Sequence, residues 1–371
     1  MPAYLTTQDL TRALTVRDLS DPAQGAHGMQ QLLDALVAAL TAADGPSVRV
    51  VRNPPIVAVA DNYDKLGYDP TDVTRDARYT RYLSPSAMLR SHTTADIPAT
   101  LRSYAEIDTA VDELIVVPGL AYRRDVVDRI HVGEPHQVDL WRLRSSPDTG
   151  ETELMATIDR VVTAVLPGAP WRTTPAIHPY TALGRQVDVR LDGEWLELAE
   201  CGLIAAHILA GAGLDPNRWS GTALGLGLDR ALMLRKGIPD IRYLRSTHPR
   251  IAEQLQDLSP WRPVSMLPPI RRDLSVVIAD RTDDETLGDT VRKVLRDNLD
   301  DIESVLVTAR TPWAELPAAA RERLGIRPGQ ANAVVRLTLR PLHRTLTDAQ
   351  ANAIRNEVYR AIHIGPRLEL A

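Results

Sequence analysis

The twenty residues RQVDVRLDGEWLELAECGLI, Arg185 to Ile204, constrain the fold of this chain more than any other stretch. Two runs of alternating character meet at Asp192-Gly193. Asp-Gly between such runs is the strongest short hairpin signal, because both central residues of the tight turn take positive φ. An antiparallel sheet therefore lies at the middle of the chain. A second segment, YRRDVVDRIHVGEPHQVDLWRL from Tyr122 to Leu143, ends in the strand-like HQVDLWRL. Residues two apart on a strand share a face, so Gln137 and Asp139 share one, and Arg123 sits just before the long loop. A face carrying Arg, Gln and Asp is no apolar core face. It is either a solvated hairpin surface or a polar ligand site.

The remaining segments give the organisation. With 371 residues, 44% of them hydrophobic, the chain buries one large core or two smaller ones. Met29 to Leu40 has apolar residues at helical spacing and ends at the turn signal DGPS. VRVVRNPPIVAVADNYDKL reads as a strand broken by Pro54 and Pro55. DELIVVPGLAYRRD reads as strand, Pro-Gly turn, strand. ELMATIDRVVTAVL is a helix with Glu153, Asp159 and Arg160 on its solvated face. ALGLGLDRALMLRKGI runs from a Gly-rich strand end into a helix. A second unit starts near SMLPPIRRDLSVVIA, after a Pro-rich linker. There the pattern reads strand (Asp273 to Ile278), helix (Thr286 to Asn298), strand (Ile302 to Thr308), strand (Asn332 to Leu339) and helix (Asp348 to Ala361). The fold class is α+β, with domains at 1–262 and 263–371, the second ferredoxin-like.

Composition excludes several classes. A net charge of −5 argues against a general polyanion binder, so phosphate partners must be met by local Arg clusters. Arg336, Arg340 and Arg344 are candidates for such a phosphate-facing side in the second unit. No run of about 18 apolar residues predicts a membrane span, and the N-terminus lacks the form of a secretory signal. A single cysteine, Cys201, excludes an internal disulfide and fits a reducing cytoplasm. The chain contains no Phe.

GTALGLGLDRALML holds Gly225 and Gly227, which let a backbone approach a flat ligand, and Arg230 at the start of a helix. Alone this is equally a helix-packing glycine pair with a surface Arg. Together with Arg123 it supplies the groups needed to clamp a triphosphate bent over an antiparallel sheet. Here the sequence resembles the phenylalanyl-tRNA synthetase family of class II enzymes, in its single-chain mitochondrial architecture. Tyr122 to Leu143 resembles the second class II motif. GTALGLGLDRALMLRKGIPDIRYL resembles the third. NPPIVAVADNYDKL and MLRSHTTAD resemble the first-motif strand and the substrate segment. The tail PPIRRDLSVVI…LRPLHRTLTDAQANAIRNEV resembles the ferredoxin-fold anticodon-binding domain. The blocks run in order from about Gly28 to the C-terminus.

The resemblance implies an ATP-dependent, AMP-forming amino acid ligase that uses Mg²⁺ and charges a tRNA. It implies that Arg123 holds the α-phosphate, Arg230 the γ-phosphate, and His131 a further phosphate contact. Glu197 matches the acidic residue near Mg²⁺. His92, Thr94, Gln137 and Asp139 match the residues that grip the ammonium and carboxylate of the amino acid, with Thr and Asp in place of the usual Ser and Glu.

The specificity pocket departs from the family. Phe-Pro-Phe-Thr is HPYT here, with His178 and Tyr180 for both Phe. Gly-Phe-Ala-Phe-Gly is GTALG, which keeps Ala223 and puts Thr222 and Leu224 where the rings would be. Gly-Cys-Gly is ECG, which brings Glu200 beside the substrate. A carboxylate beside an apolar ring is costly unless paired. Either His178 and Glu200 pair with each other, or the substrate is a polar, cationic or modified aromatic amino acid. Two other readings fit the same residues: a biosynthetic paralogue that serves another acceptor, and a non-catalytic amino acid or tRNA-binding regulator. The loss of every Phe fits either composition drift or a protein made when Phe-charged tRNA is scarce.

Overall fold

The computed structural model describes residues 4–42, 45–264, 267–342 and 344–366. Asp44 of the DGPS turn and Ser265-Met266, where the second unit was expected to start, lie outside the described residues. The strands are β1 (Ser47–Val50), β2 (Ile56–Ala58), β3 (Ala87–Leu89), β4 (Asp112–Leu120), β5 (His136–Arg144), β6 (Trp171–Pro175), β7 (Thr181–Leu191), β8 (Glu194–Ile204), β9 (Ser220–Gly227), β10 (Ile270–Ala279), β11 (Ile302–Pro312) and β12 (Gln330–Leu339). Two compact units are formed. The first is Met1–Arg123, Glu134–Ile238 and Glu253–Trp261; the second is Arg124–Gly133, Pro239–Ala252 and Arg262–Ala371. A single cut after residue 262 therefore misplaces two segments, 124–133 and 239–252.

In the first unit a seven-stranded sheet runs β1-β4-β5-β9-β8-β7-β6. It is antiparallel except for the parallel pair β1 and β4, so the sheet is mixed. The hairpin of β7 and β8 turns at Asp192 (φ 51°) and Gly193 (φ 90°), the left-handed pair that Asp-Gly predicts. The helices Gly28–Leu40, Glu151–Val165 and Leu228–Lys236 pack together, and Glu151–Val165 lies against β7 and β8. The first of them buries Met29, Leu32, Leu33, Leu36 and Leu40 on one stripe. On Glu151–Val165, Asp159 and Arg160 are exposed, as the pattern indicated. Glu153 is not: it accepts from Arg142 and Arg144, 2.8 Å each, across the sheet.

Pro118-Gly119 is not a turn. β4 runs through it to Leu120. β1 is paired only as far as Val116, so Pro118 falls where no neighbour on that side asks for an N–H. Gly119 has φ 149°, and a Cβ there would lie 2.2 Å from Nη2 of Arg90. The glycine makes room for a buried guanidinium. Arg90 donates through Nε to the carbonyl of Leu120 (2.8 Å) and through Nη1 to Asp96 (2.6 Å). It ties the segment 91–96 to the end of β4.

In the second unit β10-β12-β11 form an antiparallel sheet. The helices Asp284–Leu295 and Asp348–Ile362 join Leu274, Val276, Ile278, Val335 and Leu337 in its core. Strand, helix, strand, strand, helix corresponds to the first five elements of the ferredoxin-like βαββαβ pattern, with three strands in the sheet among the described residues. The short helix Ala318–Leu324 between β11 and β12 was not anticipated. Val127 belongs to this core, and its carbonyl accepts from Val305 N at 2.8 Å. Arg124 pairs with Asp289 at 3.2 Å, and Arg292 donates to the carbonyls of Asp125 and Val126. The long loop between β4 and β5 is thus packed rather than open. Arg336, Arg340 and Arg344 are paired with Asp273, Glu303 and Asp301, so the phosphate-facing triplet read from the sequence carries its own counter-charges.

Candidate active site

The register of β5, β9 and β8 builds the floor of the site. Residues opposite one another on paired strands point to the same face. Gln137 lies opposite Gly227, Asp139 opposite Gly225, and Trp141 opposite Ala223. Gly225 in turn lies opposite Glu200, and Ala223 opposite Gly202. One face therefore carries Gln137, Asp139, Trp141 and Glu200 around a strip of Gly and Ala. A Cβ at Gly225 or Gly227 would meet nothing within 4 Å, so the space above both is open.

At one edge of this floor sits a buried carboxylate. Asp139 is 3% exposed. It accepts from Thr93 Oγ1 (2.6 Å), Thr94 Oγ1 (2.9 Å) and Trp141 Nε1 (3.0 Å). Burial raises its pKa; those three donors act in the other direction. His92 stacks on Tyr68 at 5.8 Å between ring centroids, and its buried Nδ1 has no hydrogen-bond partner. Burial, reinforced by the charges of Arg123 and Arg90, pushes His92 down to about 3.

The sign of the linkage follows. The unfolded His92, near 6.5, binds its proton first, so stability is complete above that pH and falls as pH drops from about 6.5 towards 3. At pH 5 the loss from this residue is about 2 kcal/mol. His92→Gln should remove it. Urea unfolding at pH 7 and pH 5 checks this: the wild type should lose about 2 kcal/mol more than the variant, and equal losses would be contrary.

Two arginines leave the same end of the sheet. Gly119 and Gly227 both lie opposite Gln137, on either side of β5. β4 continues into Arg123 and β9 into Arg230. The two chains depart two strand spacings apart, about 10 Å. The charge of the exposed Arg123 reaches both His92 and Glu200. Its carbonyl accepts from Arg81 Nη2 at 3.1 Å, which fixes the backbone there. Arg230 Nη1 donates to the carbonyl of Glu197 at 3.5 Å. A bulge at Leu198 shifts the register between Asp188↔Glu197 and Val187↔Ala199. It turns Glu197 onto the face of Glu200, where regular alternation would hide it.

The far wall is aromatic. Tyr180 stacks on Trp141 (6.0 Å) and on His178 (5.8 Å), and lies 6.4 Å from Tyr68. Its hydroxyl is buried near Thr94 and Asp139, and burial raises its pKa well above the usual phenol. His178 Nε2 is 3.3 Å from Glu200 Oε1, but out of line for a good hydrogen bond. The imidazole beside it and the charge of Arg123 hold the Glu200 carboxyl below its usual range, although burial opposes them.

Residues 16–255 match the family of tRNA synthetases class II core domain (F). The chain belongs to the class II tRNA synthetases. It is 36% identical over 210 residues to the phenylalanine–tRNA ligase alpha subunit of Prochlorococcus marinus strain MIT 9313, covering 57% of this chain and 61% of that one. It is 29% identical over 244 residues to the Nostoc punctiforme alpha subunit, covering 66% and 71%. The chain thus spans about three fifths of the length of the first of these relatives. Among solved structures it is similar to the pyrrolysyl tRNA synthetase of Desulfitobacterium hafniense, at 20% identity and a TM-score of 0.46, over 64% of this chain and 78% of that one.

Within this class II core the expected residues divide. His92, Thr94, Gln137, Asp139, Tyr180, Glu200 and Ala223 gather on or beside the floor, with Arg123 and Arg230 at its end. Thr222 does not: it lies opposite Arg142 and Leu203, on the face turned away from Asp139, because alternation sends it below Ala223. His131 belongs to the second unit, where Nδ1 lies 2.8 Å from Asp128 Oδ2. Glu197 is exposed, and among the described residues no three acidic, His or Cys groups converge as a metal cage. Sequence reading passed over Tyr68, Trp141, Arg90, and the buried pair His136 and Asp229. Trp141 was detectable, since it is two residues beyond Asp139 on the same strand. The others act through contacts between distant segments and leave no local pattern.

Proposed function

We propose that this synthetase joins an α-amino acid to AMP at the expense of ATP and passes the acyl group to a tRNA. The observation that carries the reading is that the chains bearing Arg123 and Arg230 leave one end of a floor that presents Asp139, Gln137 and open glycines. In this reading the ammonium of the amino acid lies against Asp139, with Thr94 and Gln137 beside it. The nucleotide lies over Gly225 and Gly227. The amino acid carboxylate attacks the α-phosphorus, one P–O bond forms, and pyrophosphate leaves. Arg123 stabilises the charge that grows on the α-phosphate, and Arg230 orients the leaving phosphates. The work is positioning and charge stabilisation, with no covalent enzyme intermediate. A hard cation such as Mg²⁺ would need carboxylate oxygens here. Glu197, exposed on the site face next to Arg230, suits that duty, and Mg²⁺ would neutralise phosphate charge. The relatives named above are alpha subunits. This chain carries residues 262–371 beyond the matched core, and we read that unit as the part that handles tRNA.

The test is pyrophosphate exchange into ATP with each amino acid in turn, followed by acylation of total tRNA. Exchange that depends on an amino acid, then acid-stable attachment to tRNA, is expected. ATP binding without exchange for any amino acid would leave a non-catalytic binder.

A further inference from the structure

We propose that Glu200 is the specificity-determining residue of this site, and that the substrate amino acid carries a nitrogen donor at the far end of its side chain, held by the Glu200 carboxylate. The inference rests on the ligase reading and narrows it. The register puts Asp139, Gly225 and Glu200 in one row on one face. Two carboxylates thus stand two strand spacings apart, about 10 Å between backbones. The glycine between them has nothing above it. Glu200 borders that gap, and Asp139, held by Thr93, Thr94 and Trp141, lies at its other side, so a molecule over the glycine has a carboxylate towards each end. Asp139 takes the α-ammonium, so the second donor falls to Glu200.

The surroundings favour a nitrogen over a plain phenyl ring. A bare ring laid against a charged carboxylate would strip it of water without replacement. Glu200 keeps its charge, and 45% of its side chain remains exposed. His178 pairs with one side of it at 3.3 Å and is the main cause of its lowered pKa, but leaves that exposed part open to a second donor. Tyr68 and Tyr180, the latter backed by the buried Trp141, line this side with aromatic rings. Such faces hold ammonium groups and amino-substituted rings alike. Two substrate types share this chemistry, basic aliphatic amino acids and aminoaryl amino acids.

The full chain and Glu200→Gln are compared by amino-acid-dependent pyrophosphate exchange. The probes are lysine, ornithine, 4-aminophenylalanine, phenylalanine and tyrosine. At least one nitrogen-bearing probe should exceed phenylalanine tenfold or more in kcat/KM. Glu200→Gln should reduce that ratio at least tenfold. Lysine and ornithine against 4-aminophenylalanine tells a charged aliphatic from a neutral aryl donor. Preference for phenylalanine or tyrosine in the wild type overturns the inference and leaves the ligase reading standing, as does an unchanged ratio in the variant. No exchange with any amino acid, in either protein, overturns the ligase reading itself and this inference with it.

Discussion

Replacing Arg123 with Ala is expected to cut amino-acid-dependent pyrophosphate exchange about a thousandfold, roughly 4 kcal/mol of transition-state stabilisation. The loss should appear in kcat more than in KM, because charge on the α-phosphate grows as the carboxylate attacks. Arg123 is exposed, and the contacts that anchor its backbone survive truncation: the bridge to Thr80 and the bond from Arg81 to its carbonyl. Arg123→Lys should recover only part of the rate, since an ammonium cannot offer the planar fork of a guanidinium. Steady-state exchange with thermal unfolding as a control decides the matter. A variant that folds normally and exchanges at near wild-type rate would remove Arg123 from the chemistry.

Asp229→Ala should cost about 3–5 kcal/mol of folding stability. Asp229 is 3% exposed and His136 is fully buried. Leu19 N donates to His136 Nε2 at 2.9 Å, so the ring hydrogen sits on Nδ1 and is donated to Asp229 Oδ1 at 3.0 Å. The backbone N–H of His136 donates to the other carboxylate oxygen. Truncation leaves both donors buried without an acceptor, each at a cost of about 1–3 kcal/mol. The same carboxylate fixes the start of the helix Leu228–Lys236 to the start of β5. Arg230 is the next residue on that helix, and Gln137 the next on that strand. The variant should therefore lose exchange activity even at temperatures where it stays folded. Asp229→Asn, similar in size with one acceptor oxygen, should fall between. Urea midpoints, read with unchanged m-values, measure the first effect; a shift under 1 kcal/mol would contradict it.

What the sequence made legible was local. The Asp192-Gly193 hairpin, the helix Gly28–Leu40 and the strand-helix order of the second unit all have their cause within a few residues. Pro118-Gly119 was misread because the usual turn chemistry was applied to a pair whose neighbours decide otherwise: β1 stops short of Pro118, and Arg90 needs the space at Gly119. The placing of Thr222 was open to strand alternation alone, but matching it to a family ring position took precedence over the period of two. Glu197 shows the reverse case. Alternation would hide it from Glu200, and only the bulge at Leu198, a matter of register between β7 and β8, brings it back. The packing of 124–133 in the second unit depends on Asp289 and Arg292, more than 150 residues further along the chain, and no local pattern announces it.

The central claim is that one nucleotide bridges the two guanidinium groups at the end of the sheet. A crystal structure with ATP, Mg²⁺ and a non-reactive amino acid analogue tests it most directly. The account predicts the α-phosphate on Arg123, the terminal phosphate on Arg230 and the nucleotide over Gly225 and Gly227. A nucleotide bound elsewhere, or with its phosphates turned away from both arginines, would contradict it.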